Sequence, residues 1–437
     1  MKLRLEKNLP VIVIILLASV PIIRWFFLEP LNYRFLDINS FTTSLGQITG
    51  LLGMLLFSVN LILSNRLIFF DTFFSGLHHS YNIHKWLGTL SFSLLLFHPL
   101  FLVVKYISIS LQSAAMFLLP NGYFPVTLGI IALFGMIVLI CITFYLKIKY
   151  HIWKFSHKFL VLVFVFAILH TILISSDISR DLFLRYYIIF FAMLGLISGI
   201  HRSFLRFLFN YDFKYKVIGT KIFNNNVIEI ELESNGKSIG FYPGQFIFIK
   251  FISDVKGISR ESHPFSVSSS LLENNLKITV KSLGDFTNNL INLNVGAKVK
   301  IEGPFGKFFE NRNPNKKEIW IAGGVGITPF LSLIRSIKPE DCSGIDLYYC
   351  LKNNTEAFLF KELEDISRVN NKFRLIPWCS DDKGYINADI IYKLSGDLKD
   401  KDIYLCGPPS FMKILTEQFI KIGVDSNNIH FEEFNFL

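Results

Sequence analysis

Residues 84–98, HKWLGTLSFSLLLFH, and residues 157–170, HKFLVLVFVFAILH, each open and close on a histidine with a mostly apolar run between. An ionisable side chain inside a stretch greasy enough to cross a bilayer is costly and reads by default as functional. The first two histidines are 14 residues apart, which on an ideal helix is about 21 Å along the axis and within about 40° of one face. The second two are 13 apart, about 19.5 Å, with a net rotation of about 220°. Those two rings do not share a face of an ideal helix. Either the span is locally irregular or its imidazoles approach their partners from different flanks.

The two runs belong to a set of six apolar stretches, near 9–28, 41–63, 84–106, 125–146, 157–175 and 183–205, each close to or above the roughly 20 residues that span a hydrocarbon core. They lift the 437-residue chain to 51% hydrophobic, which excludes an ordinary soluble enzyme. Only 18% of residues are charged, yet the net charge is +10. In a chain this apolar a basic excess reads as membrane topology and not as nucleic-acid binding. Lys2, Arg4, Lys7, Lys147, Lys149, Lys154, Lys158, Arg202 and Arg206 fall at one set of span ends, and Glu29, Asp37, Asp177 and Asp181 at the other. The positive-inside rule then predicts a multi-pass cell-membrane protein with its N-terminus and everything after the sixth span in the cytoplasm. The first stretch runs through Trp25 and Phe27 without a small-x-small site, so it reads as an uncleaved anchor. The five Cys form no C-x-x-C pair, which indicates neither a disulfide framework nor a zinc site.

The third and fifth spans run in the same direction, so His84 and His157 lie at one depth and His98 and His170 at another. Facing imidazoles at two depths are the ligand set of two b-type, bis-His haems stacked across the bilayer. The bland alternative is histidines satisfied by neighbouring backbone. Zinc needs its ligands close together, and about 20 Å separates the members of each span. Arg66, Lys85 and Lys158 are placed either to meet the propionates of the inner haem or to anchor the membrane boundary. Phe92 and Phe164 lie midway along their spans, between the haems or in ordinary packing.

After about residue 212 the pattern becomes that of a soluble module. From 213 to 310 short alternating strands (VIEIELE, QFIFIKF, LKITVKSL, KVKIEG) predict an antiparallel barrel, and from 318 strands alternating with helical runs predict a parallel sheet. At the end of one barrel strand, HPFS (263–266) offers His263, Phe265 and Ser266 to a flat ligand, with Pro264 fixing the chain, which suits the isoalloxazine of FAD. KSLGDFT (281–287) joins Lys281, a turn at Gly284 and Thr287 at a helix start, suited to a pyrophosphate. GGVGIT (323–328) follows a strand and opens a helix, so Gly323, Gly324, Gly326 and Thr328 are candidates for holding a dinucleotide. The strand IDLYYCL runs into Lys352 with no acidic residue immediately after it, which favours the 2′-phosphate of NADPH, with NADH as the alternative donor. In CGPP, Cys406 and Gly407 can lie against the nicotinamide, while packing is the competing role of Cys406. Phe434 or Phe436 near the chain end can cover the flavin where hydride arrives. Phe434 and Cys406 are therefore the candidate catalytic residues.

Paired His in two spans, HPFSVSS, GDFT, GGVGITP, CGPP and an aromatic end together resemble the NADPH oxidase and ferric reductase superfamily, over about residues 40–437, and the short N-terminus looks like that of its prokaryotic oxidases. The resemblance implies three parts: a six-helix ferric-reductase-like membrane domain (1–206), an antiparallel β-barrel FAD domain (212–312) and an α/β NAD(P)H domain (316–437) like that of ferredoxin-NADP reductase. It implies His84 with His157 on the inner haem and His98 with His170 on the outer one. The residues named above in HPFS, Lys281 and Thr287 would line the FAD site, and the GGVGIT glycines, Thr328 and Cys406 the NADPH site. Electrons would pass from NADPH through FAD and the haems to an outer acceptor, O2 giving superoxide. Ferric chelate or an extracytoplasmic protein partner is the alternative acceptor. A transporter fused to a reductase-like domain is a further reading. No nucleic-acid partner and no obligatory activator protein are expected. The animal oxidases carry an Arg on the second span near the outer haem. Here 41–63 holds no cation, and Gln47 is the comparable polar residue.

Overall fold

The computed structural model describes residues 2–74, 76–146, 148, 150–205, 213–223, 226–258 and 261–432. Lys147, Lys149, Arg206, Phe434 and Phe436 lie outside the described residues. The chain forms two compact units, residues 1–74 with 79–210, and residues 75–78 with 211–437.

The first unit contains six helices long and apolar enough to cross a membrane, Leu9–Leu28, Ile38–Leu63, Leu77–Ile107, Phe124–Tyr145, His151–Leu173 and Leu182–Leu205. The third begins seven residues earlier than its apolar pattern predicts, because polar His78, His79 and Ser80 still continue the helix. The second span is the most buried; the first and sixth pack against it, and the fourth packs against the fifth. Small residues make that packing close. A Cβ added to Gly195 in the sixth span would lie 2.8 Å from the Ser58 carbonyl oxygen of the second, and one at Gly199 3.0 Å from Val161 of the fifth. Tyr187 donates to the Leu17 carbonyl at 2.8 Å, and Arg24 bonds Asp181 at 2.5 Å, tying the first span to the sixth. Asp181 also accepts from the Leu184 N–H at 2.6 Å and so caps the sixth helix.

The fifth span is interrupted. One helix ends at His157 and the next begins at Leu160. Between them Lys158 N–H donates to the Phe155 carbonyl and Phe159 N–H to that of Ser156, three residues back. Such a turn rotates the chain by about 120° per residue instead of about 100°. This local irregularity supplies part of the rotation that an ideal helix denies to His157 and His170.

In the second unit six strands, β1 (Phe213–Phe223), β2 (Val227–Ser234), β3 (Phe246–Ile252), β4 (His263–Ser266), β5 (Leu276–Lys281) and β6 (Lys298–Phe305), form a sheet in the order β4-β3-β6-β1-β2-β5 with antiparallel pairs throughout. A bridge between Val267 and Ile278 draws its two edges together, over a core that includes Val217, Ile230, Ile249, Val267 and Ile301. Five further strands, β7 (Glu318–Gly323), β8 (Ile345–Leu351), β9 (Phe373–Cys379), β10 (Asp402–Cys406) and β11 (Ile429–Phe431), form a parallel sheet in the order β11-β10-β7-β8-β9. Its central strands β7 and β10 are covered on both faces, hence their continuous apolar runs. Arg335 joins the two sheets: it pairs with Glu229 of β2 at 2.9 Å and Glu362 at 2.6 Å and donates to the Ser268 carbonyl at 2.6 Å.

Candidate functional site

The second span positions the histidines of the third. His98 Nδ1 meets the Gly46 carbonyl oxygen at 2.7 Å and His84 Nδ1 meets that of Asn60 at 3.1 Å. Gly46 and Asn60 are 14 residues apart, like His84 and His98, so two antiparallel helices hold both rings in one register. His170 Nδ1 meets the Pro125 carbonyl oxygen at 2.7 Å, from the start of the fourth span. A carbonyl only accepts, so the proton sits on Nδ1 of each of these rings and Nε2 keeps its lone pair for a metal. His157 differs: its Nδ1 is buried without a hydrogen-bond partner among the described residues, and Trp153 lies 5.4 Å from its ring.

Two glycines face the rings directly. A Cβ at Gly50 would fall 2.7 Å from His98 Nδ1, and one at Gly129 2.8 Å from His170 Nδ1. The His98 and His170 ring centroids are 6.3 Å apart, with the planes at 69°. Two imidazoles on opposite sides of one metal, each about 2.0 Å from it through a nitrogen roughly 1.1 Å ahead of its centroid, stand about 6.2 Å apart. Among the described residues no three His, Cys, Asp or Glu converge on a metal position. The spacing of the pair, with Nε2 of each ring free of the backbone bond, fits a haem between them.

Phe164 packs against Phe57 at 4.8 Å within the core and Phe92 against the same core. Arg66 donates to the Tyr81 hydroxyl at 2.7 Å, and Lys85 is exposed. The sequence reading missed the glycines and the carbonyl partners. Gly46, Gly50 and Gly53, spaced to face one neighbour, were the available signal.

In the second unit, HPFS is the edge strand β4, where Pro264 can lack an N–H. Alternation puts His263 and Phe265 on one face and Pro264 and Ser266 on the other, so the expected series His263, Phe265, Ser266 is divided between two faces. His263 stacks on Phe286 at 3.8 Å, and Phe265 packs on the sheet core. Ser266, Ser268, Ser269 and Ser270 are buried, and Ser269 Oγ has no partner among the described residues, a hydroxyl that a bound cofactor can satisfy. Thr287 Oγ1 accepts from the N–H groups of Leu283 (2.9 Å) and Gly284 (3.1 Å), so those two donors are used within the turn.

The parallel sheet reverses its strand order between β7 and β10, and ligands of such sheets bind outside the carboxyl ends of the strands at that point. There the two predicted loops meet. A Cβ at Gly326 would overlap the Cys406 carbonyl, and one at Gly407 would lie 3.2 Å from Gly323 Cα. Gly323, Gly326 and Gly407 thus serve close backbone packing. Gly324, at φ +56° with open space above it, is the glycine that faces outward. Thr328 is buried at the start of the following helix. Cys406 packs among Tyr404, Phe308 and Phe330, and burial pushes its thiol far above the usual range.

Lys281 and Gly324 line one small cleft with Asn226, Val227, Val325, Glu356 and Phe358. Lys281 pairs there with Glu356 at 3.4 Å. Glu356 also accepts from the Lys352 N–H at 3.3 Å, so a carboxylate does reach the end of β8, four residues beyond where the sequence shows none. The turn Asn354–Glu356 folds it back. The Lys352 residue itself is exposed.

Three family models match the chain: a ferric reductase like transmembrane component over residues 49–168, an FAD-binding domain over 212–309 and an oxidoreductase NAD-binding domain over 320–417. The first includes His84, His98 and His157 and ends two residues before His170. Among curated proteins, flavohemoprotein A of Dictyostelium discoideum is 29% identical over 230 residues, 48% of this chain and 57% of that one. A flavohemoprotein of Candida albicans is 36% identical over 184 residues, 38% and 44% of the two chains. The chain thus spans about half the length of these relatives. A solved FAD/NAD-binding domain of a nitric oxide dioxygenase from Vibrio cholerae is 26% identical and covers 50% of this chain and 97% of its own, with a TM-score of 0.45.

The chain joins six helices long and apolar enough to cross a membrane to an FAD-binding domain and an oxidoreductase NAD-binding domain. Its three matched domains make up the architecture of NADPH oxidase and ferric reductase family proteins.

Proposed function

We propose that the chain moves electrons across the cell membrane, from cytoplasmic NADPH to O2 on the outer side, giving superoxide. The observation that carries this reading is the 6.3 Å spacing of His98 and His170, with Nδ1 of each ring committed to a backbone carbonyl. His84 and His157 form the corresponding inner pair. When bound, FAD takes the hydride of NADPH and releases its electrons singly, and the two haems carry them one at a time. The overall balance is NADPH with two O2 giving NADP+, a proton and two superoxide. His98 and His170 would together hold the outer haem, and His84 and His157 the inner one, so the haems would supply electron transfer and not a binding position for the acceptor.

The chain's own residues set the rest. Gly324 and Lys281 open the cleft that would receive the dinucleotide, and Lys352 favours the 2′-phosphate. Glu356 opposes it and limits the preference for NADPH over NADH. The cations at the ends of the first, fifth and sixth spans put the soluble unit inside. His263, Pro264, Phe265, Ser266, Lys281, Gly284 and Thr287 would border the FAD site, with Gly323, Gly326, Thr328, Cys406 and Gly407 at the nicotinamide end.

The test is purified protein supplied with haem and FAD. Addition of NADPH should give a low-spin reduced haem spectrum, and oxygen should reoxidise it with superoxide that superoxide dismutase removes. Electrons passing to Fe(III) chelate but not to O2 would assign the chain to ferric reduction. Absence of any haem spectrum would overturn the reading.

A further inference from the structure

We propose that Arg335 is a positioning residue for hydride transfer: it fixes the helix that follows the glycine loop against the segment that follows HPFS, and so sets how the nicotinamide meets the flavin. The inference rests on the reading above that this unit turns NADPH and FAD into NADP+ and FADH−. The helix Thr328–Ile334 follows the loop of Gly323, Gly324 and Gly326, and Arg335 caps its other end. Thr328, Pro329, Phe330, Leu331, Ser332 and Ile334 are buried, so this helix, about 10 Å long, moves as one body. Within its own half of the unit the guanidinium grips Glu362, through Nε at 2.6 Å and Nη2 at 3.0 Å. Toward the antiparallel sheet Nη2 pairs with Glu229 at 2.9 Å, and Nη1 donates to the Ser268 carbonyl at 2.6 Å. Ser336 adds a second tie. Its hydroxyl lies 2.9 Å from that of Ser270 and accepts from the Leu271 N–H at 3.2 Å.

Only 10% of the Arg335 side chain and 12% of that of Glu229 are accessible. A buried ion set adds little net stability over apolar packing of the same volume, whereas the planar fork of an arginine specifies one arrangement of its partners. Both segments that Arg335 joins lead into the candidate site. One starts at HPFS and holds the buried Ser269 hydroxyl, and the other starts at the loop where Gly324 faces outward. Reacting atoms must stand about 3–3.5 Å apart, and a misplacement of about 1 Å can cost 100-fold in rate. A rigid helix carries a tilt at Arg335 to the glycine loop at its other end, so the arginine acts on the reaction without touching either reactant.

The test is anaerobic stopped-flow reduction of the flavin in full-length protein supplied with FAD and haem, over a range of NADPH concentrations. Arg335→Met should lower the limiting rate by about 10–100-fold and leave the half-saturating NADPH concentration within about threefold. The long-wavelength charge-transfer band between nicotinamide and flavin should weaken, with FAD still bound. Arg335→Lys keeps the charge without the fork and should recover part of the rate. Glu229→Gln, which weakens the tie between the sheets, should slow reduction more than Glu362→Gln, which weakens the one within the parallel-sheet half. If Arg335→Met does not fold, Ser336→Ala removes the second tie with every charge in place and should lower the limiting rate by about two- to fivefold. An unchanged limiting rate in either of these variants that folds, a loss confined to the half-saturating concentration, or Glu362→Gln slower than Glu229→Gln would overturn the proposal. Parent protein whose flavin is reduced by neither NADPH nor NADH would instead overturn the reading on which it rests.

Discussion

Gly50 lies directly against the His98 imidazole: a Cβ there would fall 2.7 Å from Nδ1 and 2.9 Å from Cε1. The same relationship recurs between Gly129 and His170, at 2.8 and 2.9 Å. Both contacts bear on the hydrogen-bonded nitrogen and the ring carbon beside it, so they govern ring orientation as well as space. Gly50→Ala and Gly129→Ala are expected to turn their imidazoles away and remove the outer haem. The bound haem should fall from two per chain to one, counted as pyridine haemochrome. Alanine variants that keep two haems with unchanged low-spin signals would contradict the role assigned to these glycines.

His157 is the one ligand candidate whose Nδ1 has no acceptor among the described residues. Losing such an outer hydrogen bond commonly costs about 10–100-fold in metal affinity. When haem is supplied below saturation, the His98 and His170 level should fill first, by roughly tenfold. Titrating haem into His84→Ala and His98→Ala proteins compares the levels directly, and equal affinities would count against it.

Gly326 and Gly324 should respond differently to the same substitution. Alanine at Gly326 drives a methyl into the Cys406 carbonyl and must part the two loops at the end of the sheet, an overpacking cost of about 1–3 kcal/mol. Reduction of the flavin by NADPH should slow by tenfold or more with FAD still bound. Alanine at Gly324 meets open space, and its cost is the left-handed backbone, about 1–2 kcal/mol. Stopped-flow flavin reduction and thermal unfolding of both variants check the ranking.

The Lys281 and Glu356 pair is partly exposed, with 22% and 28% of the side chains accessible, so its strength is that of a surface pair, about 0.2–1 kcal/mol. Glu356→Gln removes an anion from the cleft and frees Lys281. The KM for NADPH should drop by about two- to fivefold, and that for NADH by less, because only NADPH carries the 2′-phosphate. A larger gain for NADH would place the carboxylate elsewhere than beside the ribose.

Hydropathy and local motifs were enough to read six apolar spans, the four histidines within two of them, and an antiparallel sheet followed by a parallel one. Each depends on the length or period of a single segment. The interruption of the fifth span was visible as a conflict between 13 residues and 3.6 per turn, although its position at Lys158 and Phe159 was not.

What only the tertiary structure decided are relations between segments far apart in sequence. The register that pairs Gly46 with His98 and Asn60 with His84 depends on how two helices pack. So does the insertion of Arg34 between Gln47 and Asp177, which supplies a buried cation where the second span has none. Glu356 reaches the end of β8 because a short turn folds back, and His263 meets Phe286 because an edge strand lies against a following turn. Apolar burial selects which segments enter the membrane or the core. Hydrogen-bond satisfaction and close packing between them decide which polar groups meet, and that information is shared among residues no local pattern connects.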